Sequence, residues 1–70
     1  MLAVRSLEVA TEKYLRNCIR AYVEGTRNLR WVVGVIGDAK AQARIIVETQ
    51  FGQYAGTQAY RELMAELDAD

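Results

Sequence analysis

The sequence predicts a small α+β fold, a helix followed by a β-hairpin and a second helix, in one domain spanning residues 1–70. Three observations predict it. Apolar residues recur at helical spacing between residues 3 and 24. A β-branched and aromatic run, "LRWVVGVI" (29–36), is followed by Gly37-Asp38, a pair suited to a tight turn. Beyond that turn, apolar and polar residues alternate with period two from Ala39 to Phe51.

In the first element, Val4, Leu7, Thr11, Tyr14, Leu15, Cys18, Ile19 and Tyr22 fall in one stripe at 100° per residue. Arg5, Lys13, Arg16, Asn17 and Arg20 fall opposite. Glu8, Glu12 and Arg16 follow one another at four-residue spacing, which supports an exposed helical face. Gly25 stands where a left-handed residue would end the helix, and "GTRN" (25–28) reads as a turn.

The run 29–36 is too short and too β-branched for an independent helix, so it predicts the first strand. Glycine at position 37 suits the first central position of a type II′ hairpin turn. For 39–51, the strand reading puts Ala41, Ala43, Ile45 and Val47 toward the core and Lys40, Gln42 and Arg44 on the other face. The pattern fails once, at Ile46. Wound as a helix, the same stretch puts Ala41 and Ile45 on the polar side and Lys40 and Gln50 among apolar residues. Propensity pulls the other way, because "AKAQAR" favours helix and alanine packs poorly on a sheet. Periodicity outranks propensity here, and the hairpin is the expectation. An all-α helical hairpin of three helices is the alternative. "FGQYAG" (51–56) reads as a loop. Thr57 can cap a last helix whose apolar positions are Tyr60, Leu63, Met64 and Leu67. Acidic residues crowd the end of that helix, where its dipole disfavours them, so fraying is expected there.

A chain of 70 residues buries only about 60% of its unfolded surface, and its core is marginal without further support. One cysteine cannot form an intrachain disulfide, and there is no histidine. A second subunit is the remaining support, so a homodimer is expected, with two hairpins paired edge to edge under four helices. In the all-helical alternative the dimer remains. No apolar run approaches the ~18 residues of a membrane span, and no basic-then-apolar leader opens the chain, so a cytoplasmic location is expected, with no membrane partner.

Catalytic signals are weak. Cys18 lies in the apolar stripe with no histidine to act as its base, which favours a structural thiol. Glu8 and Glu12 share a helix face with nothing to sequester them. "GVIGDAK" (34–40) lacks the Gly-Lys-Ser/Thr ending of a phosphate-binding loop. No enzyme, cofactor or metal site is predicted.

Charge is more informative. The formal net charge is zero, yet residues 1–46 hold eight Lys/Arg against four Asp/Glu, and residues 47–70 hold one against five. Arg5, Lys13, Arg16 and Arg20 make a basic stripe that Arg27 and Arg30 continue, with Trp31 beside them. The expected function is a non-enzymatic protein-interaction or regulatory module, such as an adaptor or a bacterial or phage inhibitor, acting as a homodimer. These seven residues are its expected partner surface. The alternative is a nucleic-acid-binding regulator, with the basic face on phosphates and Trp31 or Tyr22 stacking on bases. A plain solvated face, or pairing with the acidic last helix, would also account for the stripe.

Overall fold

Helix-forming interactions prevail among the described residues. The computed structural model describes residues 2–69, with side chains from residue 11 onward, and among these are four α-helices and one 3-10 turn. Helix α1 is Leu2–Val23, α2 is Leu29–Ile36, α3 is Lys40–Gln50 and α4 is Gln58–Asp68; the 3-10 turn is Gly52–Tyr54. No strand occurs among the described residues, so the α+β prediction is overturned, and with it the sheet-completing dimer. The three-helix alternative also differs, because 29–36 forms a helix of its own.

The ends of α1 and α4 follow the sequence signals. Gly25, at φ 91°, closes α1 in a Schellman arrangement. Its N–H donates to the Tyr22 carbonyl (3.0 Å) and the Thr26 N–H reaches back to the Ala21 carbonyl (2.9 Å). Thr57 caps α4, its hydroxyl oxygen accepting from the Tyr60 N–H at 3.2 Å. The C-terminal end of α4 is tied down rather than left to its own acids. Lys40 Nζ donates to the Ala69 carbonyl at 3.0 Å, and the Arg44 guanidinium pairs with Asp68. Both cations come from α3 and sit where the dipole of α4 favours positive charge.

Helix α2 forms because its ends are satisfied and one edge is buried. Asn28, assigned to a turn by sequence, is an N-cap: its side-chain oxygen accepts from the Trp31 N–H at 2.8 Å. Val32 and Ile36, four residues apart, are both buried. Leu29, Trp31, Val33 and Val35 flank them, half-buried. Gly37 does have the dihedral angles of a type II′ turn, φ 54° and ψ −122°, and the Ala39 N–H closes the turn onto the Ile36 carbonyl at 2.9 Å. That turn joins two helices instead of two strands.

Helix α3 buries Ala43, Ile46 and Val47, with Phe51 just beyond its end. The spacing is that of one helical face, and Ile46, the one residue that broke the alternation, is central to it. Ala41 and Ile45 do lie outside the core, as the helical alternative required; Ile45 is 61% exposed.

The core joins all four helices. Leu15, Ile19 and Tyr22 of α1 meet Val32 and Ile36 of α2, the α3 residues, and Leu63 and Leu67 of α4. Helices α2 and α3 each pack against both α1 and α4, and α1 touches α4 more lightly. The Tyr22 hydroxyl donates to the Ala59 carbonyl at 2.6 Å and links the first helix to the last. Burying an aliphatic side chain as completely as Ile19 or Leu63 contributes about 1.5–3 kcal/mol. Cys18 is buried in this core surface and free. Thr11 stands four residues before Leu15 on the same face of α1, yet it is exposed, as are Glu12, Lys13 and Tyr14. Among the described side chains, the buried face of α1 therefore begins at Leu15.

Candidate functional site: a cationic helix face

Six of the seven residues predicted as a partner surface have described side chains, three on α1 and three at or just before the start of α2. Arg5 lies outside the described side chains, as do Val4, Leu7 and Glu8. On α1, Lys13, Arg16 and Arg20 lie within about 60° of arc at 100° per residue, on the side turned away from Leu15, Cys18 and Tyr22. Lys13 and Arg20 are exposed and Arg16 is half-buried. Arg20 is held in place: its guanidinium lies 5.9 Å from the centre of the Phe51 ring and donates to the Asn17 side-chain oxygen at 3.3 Å.

Arg27 and Trp31 form a second unit. Asn28 fixes the first turn of α2, which places Trp31 one turn after Arg27, and the guanidinium covers the indole at 4.8 Å from its ring centre. An exposed contact of this kind contributes roughly 0.5–1 kcal/mol. Trp31 is half-buried by the bundle on top of that. Arg30 points elsewhere. It lines a cleft of about 330 Å³ between α2 and α4 with Leu29, Val33 and Glu66, and forms no ion pair with that glutamate.

Pairing decides how available these cations are. Among the described residues, the ion pairs are those of Arg44, with Glu48 at 3.7 Å and with Asp68. Lys13, Arg16, Arg20, Arg27 and Arg30 enter none. The acidic end of α4 is thus neutralised by α3 and not by the basic stripe. The stripe forms no ion pair among the described residues, although Glu12 and Glu24 stand close to it in sequence.

Chemistry of other kinds has little foothold. Among the described residues, no group of three or more His, Cys, Asp or Glu side chains is placed to hold a metal ion. Tyr22 is the one described group with a resolved shift in acidity, its phenol pushed above the usual 10.0, first by burial and then by the Glu62 charge. It is occupied as the donor to Ala59. No described helix is long and apolar enough to cross a membrane. Comparison with protein-family models, with curated proteins and with solved structures found no match to this chain.

Proposed function

We propose that this domain is a non-enzymatic docking module whose cationic α1 face binds an acidic surface of another protein. One observation carries the proposal: Lys13, Arg16 and Arg20 share a helix face and none is ion-paired, although seven described acids were available for pairing in the same chain. Free cations on a rigid helix speed encounter with a partner of opposite charge and select against partners of like charge. A regulatory adaptor or inhibitor needs both properties.

The nucleic-acid reading draws on the same cations and is weaker for a physical reason. A base-stacking platform needs an open aromatic face, and the face of Trp31 toward Arg27 is already covered. Tyr22 is buried and committed to Ala59. The domain, at a net charge of zero, also lacks the overall basic excess of a typical nucleic-acid binder.

The test compares wild type with Lys13→Glu plus Arg16→Glu. This pair is preferable to one including Arg20, whose contact with Phe51 would confound folding and binding. Two probes are titrated by fluorescence anisotropy at 150 mM salt: an aspartate- and glutamate-rich helical peptide, and a random single-stranded oligonucleotide. The expected result is peptide binding that weakens with salt, is lost in the charge-reversed variant, and exceeds binding to the oligonucleotide. Sub-micromolar oligonucleotide binding by the wild type would overturn the protein reading, as would equal peptide binding by the two proteins.

A further inference from the structure

We infer that the groove between the start of α3 and the end of α4 is a self-association surface that seats a second copy of this chain. This inference is independent of the docking reading, since the two surfaces share no residue. The groove is open and about 700 Å³ in volume. Its apolar part is Ala41, Ile45 and Leu67. Ile45 is the more exposed of the two exposed large hydrophobic side chains among the described residues, at 61% against 57% for Tyr14.

The groove's charges argue for a second copy over a foreign partner. Asp38 and Asp68 lie beside Lys40 and Arg44, two acids against two cations. Such a surface is complementary to itself: a two-fold axis through it brings cations of one copy toward acids of the other. Two of the four, Arg44 and Asp68, are also paired with each other within the chain, and Lys40 donates to the Ala69 carbonyl. With two acids and two cations the groove carries no formal net charge to repel a second copy. A strongly acidic or basic partner would gain nothing there. The concavity beside Ile45 offers each copy's isoleucine a place in its neighbour.

Area sets the strength. A stable dimer buries about 800 Å² on each partner. That is roughly one sixth of this chain's 4906 Å² surface, and more than the groove residues alone supply. The dimer is accordingly a weak one.

Sedimentation equilibrium from ~10 µM to ~1 mM, a range that reaches weak association, tests it. The wild type is expected to rise with concentration from one chain mass toward two and to stop there, because a two-fold interface closes on itself. Ile45→Lys should hold the protein at one chain mass throughout, with unchanged helical circular dichroism, since the position is exposed. Tyr14→Asp, which changes the other exposed large side chain, should dimerise like wild type. The inference fails if the wild type stays monomeric at ~1 mM, if Ile45→Lys still dimerises, if Tyr14→Asp is the variant that abolishes the dimer, or if mass keeps growing beyond two chains.

Discussion

Gly34→Ala should stabilise this protein, and the size of the gain follows from where Gly34 sits. It lies inside α2, exposed, with a helical neighbour on each side. A methyl group built there meets no atom within 4 Å. Alanine therefore adds no clash and reduces the freedom of the unfolded chain, a gain of about 0.5–1 kcal/mol in a helix. Total stability for a chain of this length is about 3.5–10 kcal/mol, so the gain is a measurable fraction of it. In thermal unfolding followed at 222 nm the midpoint should rise by roughly 2–8 °C. Gly37→Ala is the matched control. Gly37 has φ 54° and ψ −122°, a conformation closed to an L side chain without strain, so its midpoint should fall by a comparable or larger amount. If 29–36 were a strand, alanine at 34 would gain nothing from helix propensity. A Gly34→Ala variant no more stable than wild type would refute both the magnitude and the helix from which it is derived.

Two further outcomes follow from hydrogen bonds. Tyr22→Phe keeps the buried ring but removes the bond to the Ala59 carbonyl, and should cost about 1 kcal/mol in urea unfolding at pH 7. Because the folded state raises the Tyr22 pKa, the stability it contributes is complete below pH 10 and is lost as pH rises through the higher folded value. Wild type should thus lose stability above pH 10 by a component that Tyr22→Phe lacks; identical alkaline profiles would contradict the assignment. Asn28→Ala removes the cap of α2 and should cost about 1 kcal/mol in the same assay, with Asn28→Asp or Asn28→Ser recovering most of it.

The first and last helices were legible in the sequence because pattern and caps agreed there. Gly25 and Thr57 marked real ends, and Leu15, Ile19, Tyr22, Leu63 and Leu67 all entered the core. The middle of the chain misled for two separate reasons. In 29–36, β-branched content suggested a strand, but valine and isoleucine lose less than ~1 kcal/mol each to alanine in a helix. The burial of Val32 and Ile36 together outweighs that loss. The overlooked signal was the frame around the run: an N-capping Asn28 and a positive-φ Gly37, with eight residues between them, outline a two-turn helix. In 39–51, alternation looked convincing because alanines at 39, 41 and 43 counted as apolar, although alanine is as much at home on a helix surface as in a core. Only Ala43 of the three is fully buried.

Residues that spoiled the helical pattern in 39–51 are also the ones that carry the surface chemistry of α3. Lys40 fell among apolar positions because it stretches to the end of α4, and Arg44 reaches the same end. Ile45 fell on the polar side and is left exposed by the described residues. A local rule broken without an evident gain inside the fold points outside it. The basic stripe shows the opposite case. Its helix was legible from periodicity, but its availability was not, because sequence cannot say which acids will neutralise which bases. The zero net charge and the acidic C-terminal segment invited a simple pairing of one half with the other. The fold instead assigns Asp68 to Arg44 and leaves Lys13, Arg16 and Arg20 unpaired. That allocation is a matter of packing: α4 packs mainly on α2 and α3 and more lightly on α1, whose Tyr22 reaches the start of α4 at Ala59, so the acids at the end of α4 meet α3's cations. Charge reversal at Arg44 should therefore loosen the end of α4 without touching the docking face, whereas reversal at Lys13 and Arg16 should do the converse. Hydrogen exchange of the 65–69 amides would separate the two effects. Equal protection in the Arg44→Glu variant and the wild type would mean that the α3 cations do not hold that end.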